Sequence, residues 1–344
     1  MIEGHGDDRY RYDRPLVADF SSNIYSHADL TDLKEFLKGR MEVIGSYPPP
    51  APFDLERALA KKLRLEAEEV LVTNGATQAI YLIAQAFAGS CSAVLQPTFS
   101  EYADACVMHG HRVKSLYLLP DAKQDYRLPE EVRMLWLCNP NNPTGQALEL
   151  DRLRALLKAN PQVLFVIDQS YEDFTLKYLL TEAEAVKGGN VLLLHSMTKR
   201  FAIPGLRLGY VTGDALLLKR LRSCRMPWAV NALAIEAGRW LLEQGGLCVP
   251  HSLVAYLKEA QRLRERLVAT GGVEVWDTDT HFMLVRLRMG KASALKDWLM
   301  KEKGLLIRDA SNFEGLDASF FRVAAQDPEE NDLLVEGIKE WLTI

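Results

Sequence analysis

Short apolar runs, each closing on a polar or turn-forming residue, recur through the first two-thirds of the chain. They are "EVLVT" at 69–73, "CSAVLQP" at 91–97, "VRMLWLC" at 132–138, "QVLFVID" at 162–168, "NVLLLHS" at 190–196 and "LRLGYVT" at 206–212. Runs of this length suit strands better than helices. They are apolar at nearly every position rather than at every second one, so the sheet they form is buried on both faces. Amphipathic stretches lie between them. In "FDLERALAKKLR", Leu55, Leu59 and Leu63 fall on one helical face behind Pro52, and "NGATQAIYLIAQAF" reads as a glycine turn entering a helix. Strands separated by helices predict an α/β fold with a mostly parallel sheet between helices.

The pattern changes near residue 231. Helical stretches near 231–245 and 251–270 come first, followed by "HFMLVRLRM", "ASALKDWLM", "GLLIR", "SFFRVAA" and a closing helix "PEENDLLVEGIKEWL". This is α+β organisation, and 344 residues suffice for two cores. The expected division is a large α/β domain over 36–235 and a smaller α+β domain made of 1–35 and 236–344.

Several classes of function fit poorly. A net charge of −5 with no basic stripe speaks against nucleic-acid binding. No apolar run reaches membrane-spanning length, and the polar start "MIEGHGDDRYRYDRP" is not a signal peptide. The five cysteines show no C-x-x-C spacing and read as core side chains; the seven histidines offer no metal pair at helical spacing, so no metal is expected.

In open α/β sheets, sites form at the carboxyl ends of the strands. Gly75, Ala76 and Thr77 open a helix there, and a helix N-terminus favours an anion. No G-x-G-x-x-G or G-x-x-x-x-G-K-[ST] occurs, so dinucleotide and Walker-type sites are unsupported. "CNPNNPTG" makes a rigid loop with Asn142 as an amide donor. Asp168 ends an apolar strand, where a carboxylate is costly unless paired. "HSMTK" places Ser196, Thr198 and Lys199 at the end of the next strand, and Arg207 follows inside "GLRLGY". Taken singly, each has an ordinary structural explanation. Together they match what pyridoxal 5′-phosphate needs: a lysine to carry it covalently, an acid for its pyridine nitrogen and donors to its ring hydroxyl. It also needs a helix N-terminus with an arginine for its phosphate, and an aromatic over its ring.

With "NPNNPTG", "DQSY", "SMTK" and "GLRLGY" in that order, the chain resembles the fold-type I pyridoxal-phosphate enzymes of the class I/II aminotransferase group along essentially its whole length. Within the group it is similar to histidinol-phosphate aminotransferases and, more closely, to L-threonine O-3-phosphate decarboxylases of cobalamin synthesis. The latter likeness rests on "GHGDD", "DFSSNI", "RMPWAVNALA" and "LIRDASNFEGLDASFFRVA". The resemblance implies the pyridoxal-phosphate-dependent transferase fold, with Lys199 as the covalent anchor, Asp168 on the pyridine nitrogen, and Asn142 and Tyr171 on the ring hydroxyl. Phe99 would stack on the ring, with Tyr102 second to it. Tyr47 of "GSYPPP" would reach the cofactor phosphate of a neighbouring subunit, which implies a homodimer with shared sites. Arg322 would take the substrate carboxylate, and Arg308 with Asn23, His5 and Gly6 its phosphate. Asp7 and Asp8, acids beside that phosphate, are expected to face solvent or a basic partner. A cytoplasmic decarboxylase of a phosphorylated amino acid is the leading expectation, and an aminotransferase acting on histidinol phosphate the alternative.

Overall fold

The structure, a computed structural model, describes residues 6–117, 127–244 and 252–344. Its centre is a seven-stranded sheet in the spatial order Val70–Thr73, Gly209–Gly213, Val191–Ser196, Leu164–Asp168, Met134–Cys138, Cys91–Gln96, Arg112–Tyr117. Only Gly209–Gly213 runs antiparallel to its neighbours; the other pairings are parallel. The reversed strand therefore starts at the edge where the parallel strands end. Gly209 pairs with both Thr73 and Ser196, and this brings Arg207 to the carboxyl edge of the sheet.

All six apolar runs form strands of this sheet. The seventh, Arg112–Tyr117, alternates charged and apolar residues because it lies at the edge with only one face covered. Helix Phe53–Leu63 buries Leu55 and Leu59 against Val70, Val72, Leu208 and Tyr210. Burial of each such leucine contributes about 1.5–3 kcal/mol.

A second, antiparallel sheet has the order Arg308–Asp309, Phe320–Ala324, Phe282–Leu287, Val273–Val275. The N-terminal pair Ala18–Asp19 joins this region by pairing in parallel with Leu305–Leu306. One apolar cluster links the two sheets, running from Trp136 and Leu194 to Phe282 and Phe321. The domain division at 36 and 236 stands as a proposal, because helices Thr31–Lys38 and Ala232–Glu243 span those positions. The four described cysteines are free. Cys138 is also part of a cavity wall, a place its apolar neighbours did not announce.

Candidate active site

A cavity of about 260 Å³ opens at the carboxyl edge of the large sheet. Its floor comes from that sheet, and its roof from the N-terminal segment and the strands bearing Arg308 and Arg322. Lys199 stands on the one-turn helix Met197–Arg200, directly after strand Val191–Ser196. It is half-buried, and its amine is pushed down to about 8, first by burial and then by the charges of Arg322 and Arg207. About one such amine in ten is then neutral, and so nucleophilic, at pH 7.

Asp168 ends the neighbouring strand and is 5% exposed. Its Oδ2 accepts from the Tyr102 hydroxyl at 2.7 Å and its Oδ1 from the Ser170 N–H at 2.8 Å. No cationic side chain among the described residues pairs with it, so a positive group on a ligand would offset the cost of its burial.

The helix Gly75–Ala86 starts without a side-chain cap, leaving the N–H groups near Ala76 and Thr77 free for an anion. Ser196 and Thr198 lie beside it with their hydroxyls 2.7 Å apart. Arg207 adopts a left-handed backbone, φ 58°, and its guanidinium comes so close to Gly75 that a Cβ there would sit 2.6 Å from Nη2. Gly209 is pressed just as tightly: a Cβ would lie 2.8 Å from both the Ala76 nitrogen and the His195 carbonyl. Together these groups could cradle a phosphate.

The asparagines of the "NPNNPTG" loop tie separate elements together. Asn139 accepts from the Leu148 N–H, and Asn141 donates to the Pro97 carbonyl. Asn142 accepts from Arg322, which leaves its NH₂ as the donor for a ring hydroxyl. Burial keeps the Tyr171 hydroxyl protonated. Phe99 and Tyr102 both line the cavity, edge-on to each other at 5.8 Å, and the buried Tyr102 hydroxyl donates to Asp168. Tyr102 also holds the acid, a role its aromatic ring alone did not announce.

Arg308 and Arg322 are directly opposite each other across an antiparallel ladder. Each is 5% exposed, and neither forms an ion pair among the described residues. Arg308 bonds the Asp309 carbonyl and Asn312, and Arg322 bonds Asn142 and the Ser21 carbonyl, with its Nε unpartnered. Burial lowers both pKa values, that of Arg308 to about 9. Like charges placed opposite each other destabilise a sheet, so the arrangement calls for anions. Asn23 is 1% exposed at the cavity wall, and among the described residues neither of its amide atoms makes a hydrogen bond of ordinary geometry.

Of the residues marked out in the sequence, Gly6, Asn23, Ala76, Thr77, Phe99, Asn142, Asp168, Tyr171, Ser196, Thr198, Lys199, Arg207, Arg308 and Arg322 all line this cavity. Gly75 contributes close approach rather than lining. Tyr47 is 87% exposed and packs on Trp228, away from this chain's own cavity. His5 lies outside the described residues. Asp8 turns to a basic partner as expected, its carboxylate 2.5 Å from Lys296 in a buried pair. Asp7 is exposed and also has a basic partner, Arg9 at 3.4 Å, while lining the rim of the cavity. The N–H of Asp7 donates to Ser21 Oγ at 2.8 Å. The sequence reading missed Ser170 and Phe313, neighbours of marked residues whose own sequence carries no distinguishing pattern.

Lys199, the acid Asp168 and the uncapped helix start beside Arg207 line one cavity, and this set has the chemistry a pyridoxal-phosphate site needs. The chain belongs to the aminotransferase class I and II family, whose sequence pattern matches residues 16–338; the family's cofactor is pyridoxal 5′-phosphate. The chain is 30% identical to threonine-phosphate decarboxylase of Salmonella typhimurium, covering 95% of this chain and 92% of that one. It is also 30% identical to histidinol-phosphate aminotransferase of Thermoanaerobacter pseudethanolicus, covering 90% and 89%. The crystal structure of L-threonine-O-3-phosphate decarboxylase from Porphyromonas gingivalis superimposes with a TM-score of 0.90 at 37% identity, covering 94% of this chain and 99% of that one.

Proposed function

We propose that the protein is a cytoplasmic pyridoxal-phosphate-dependent carboxy-lyase acting on a phosphorylated amino acid, foremost L-threonine O-3-phosphate. The products would be (R)-1-aminopropan-2-yl phosphate and CO₂, a step of cobalamin synthesis. The observation that carries this reading is the buried, unpaired cross-strand pair Arg308 and Arg322 above Lys199. Two guanidinium groups suit a substrate with an anion at each end, one carboxylate and one phosphate.

The cofactor, when bound, supplies an electron sink for the bond broken at Cα. Asp168 would hold the pyridine nitrogen in its positive state, and Asn142 and Tyr171 would hold the ring hydroxyl. Arg322 would grip the carboxylate as a fork, while Arg308, Asn23 and Gly6, with His5, would hold the phosphate. Gripping both ends fixes rotation about Cα, and that rotation selects which bond breaks. The Lys199 amine would deliver the proton that replaces CO₂. Tyr47 would serve the cofactor phosphate of a second subunit. Its exposed surroundings, with Ile44, Met226 and Trp228, suit an apolar subunit contact.

The same two arginines would also hold the two carboxylates of a dicarboxylic amino donor, so the test has two arms. The holoenzyme is incubated with threonine phosphate, and CO₂ release is compared with amino transfer to added 2-oxoacids. CO₂ release matched by aminopropanol phosphate is expected. Amino transfer without CO₂ would assign the protein to the aminotransferases.

A further inference from the structure

The sheet face opposite the cavity carries a second polar cluster. His195 directly precedes Ser196, and alternation along the strand turns its ring to that far face, where it is 1% exposed. Its Nδ1 lies 3.0 Å from Glu172 Oε1 and its Nε2 3.3 Å from Thr212 Oγ1. The ring stacks on Tyr210, its partner across the ladder, at 4.4 Å and 12°. Three segments that hold the cofactor thus meet at one imidazole. One strand leads to Ser196 and Lys199, the turn after Asp168 carries Tyr171, and the third strand follows Arg207.

The charges around this ring are mixed. Glu172 and Glu182 converge on it, with ligand atoms of all three residues within 4.8 Å of one another. Asp168 acts from the next strand. Asp173, in the same turn as Glu172, is 3.3 Å from Arg200. Arg200 and Lys62 line the small cavity beside the ring, about 30 Å³. Burial holds the Tyr210 hydroxyl neutral. Burial also disfavours a charged imidazole, but the carboxylates outweigh it, led by Glu172, and His195 is held above its ordinary value. A hydroxyl can donate or accept, so Thr212 satisfies Nε2 with or without its proton. With Arg200 and Lys62 close by, a proton is a better counterion for Glu172 than a divalent metal.

We propose that His195 is a positioning residue: as an imidazolium paired with Glu172 it clamps the Lys199 strand end to the Tyr171 turn, and loss of its proton loosens the cofactor. This rests on the family's cofactor and not on which reaction is catalysed.

The test follows cofactor release from the holoenzyme, read as decay of visible absorbance in the presence of a cofactor trap. It runs from about pH 5.5 to about pH 9.5 in wild type, His195→Gln, Glu172→Gln and His195→Arg. Lys199 titrates in this range too, so the quantity read is the part of the pH step that His195→Gln removes. In wild type, release should speed up roughly tenfold or more as the imidazolium is lost, the worth of a charged hydrogen bond. His195→Gln and Glu172→Gln should release quickly at every pH, with melting curves showing that both fold. His195→Arg should stay slow even at alkaline pH, because a guanidinium keeps its charge. A wild-type pH step that survives intact in His195→Gln would overturn the proposal. So would a folded His195→Arg that releases as fast as His195→Gln. Stoichiometric Zn²⁺ binding by wild type that slows release and is lost in His195→Gln would make the residue a metal ligand instead.

Discussion

Arg308→Met should make the ligand-free protein more stable while making the enzyme worse. Arg308 is 5% exposed and faces Arg322 across the ladder. Burial first, then the Arg322 charge, lowers its pKa from 12.5 to about 9. The guanidinium stays protonated at neutral pH, so the depressed value measures a cost to the folded state, on the order of 4 kcal/mol. That cost is fully present below about 9 and is relieved only as pH climbs from there towards 12.5. Opposing it are hydrogen bonds to the Asp309 carbonyl and Asn312, about 1 kcal/mol each. Methionine removes both contributions and keeps apolar packing near Phe313, which now lies 5.2 Å from the guanidinium. The expected net gain is about 2 kcal/mol, a rise of several degrees in Tm. In the same variant, kcat/KM for threonine phosphate should fall about 10- to 150-fold, the loss of one charged hydrogen-bonded anchor, while that for threonine changes little. The measurements are unfolding of the cofactor-loaded, substrate-free protein and paired kinetics on the two substrates. A variant less stable than wild type, with equal loss on both substrates, would make Arg308 a structural residue and remove it from the phosphate site.

Lys199→Ala should abolish the borohydride-reducible link between cofactor and chain, and Lys199→Arg should not restore it, since a guanidinium is no nucleophile at neutral pH. In the wild type, attachment of cofactor to stripped protein should accelerate as pH rises through about 8 and level off above, because the neutral amine is the reactive form; a rate flat across that range would show that the amine is not depressed. Mixing Lys199→Ala with an inactive Tyr47→Ala should restore part of the activity once chains exchange, because one site in each mixed dimer is whole. No recovery after demonstrated exchange would count against a shared site.

The parallel strands were legible because burial on both faces writes an unbroken apolar run. Arg112–Tyr117 was not, since a half-covered edge strand carries Arg112 and Lys114 on its open face. The cavity-lining candidates were legible because most stand just past a strand end, at a turn, and Arg207 just before a reversed strand. The facing of Arg308 and Arg322 was not, because pairing between strands separated by a long loop leaves no mark on either strand. Tyr102 was read for its aromatic face, and only the fold shows its hydroxyl turned to Asp168. Asp7 was expected at solvent or a basic partner and meets both, but only the fold shows that this places it on the cavity rim.

The electrostatics of the cavity bear on why such a site persists despite its cost. Lys199, Arg207, Arg308 and Arg322 converge on it, and Asp168 and Asp7 are the acids in its lining. The surplus is positive although the chain as a whole carries −5. A cofactor phosphate would balance Arg207, and the proposed substrate, with two anionic groups, would balance the facing arginines. The charge this lining calls for is the charge the proposed ligands would bring, and water leaving as they bind strengthens each attraction. Asp7 is the exception. As an exposed acid at the cavity rim beside Arg9, it adds negative potential on the side where an anionic substrate enters. Burial raises its pKa from the ordinary carboxylate value, with Asp19 adding to the shift and Arg9 and Lys199 opposing it. Its opposition to an incoming anion is therefore greatest above that raised value and fades as acid neutralises it, the reverse of what the cationic groups alone would give.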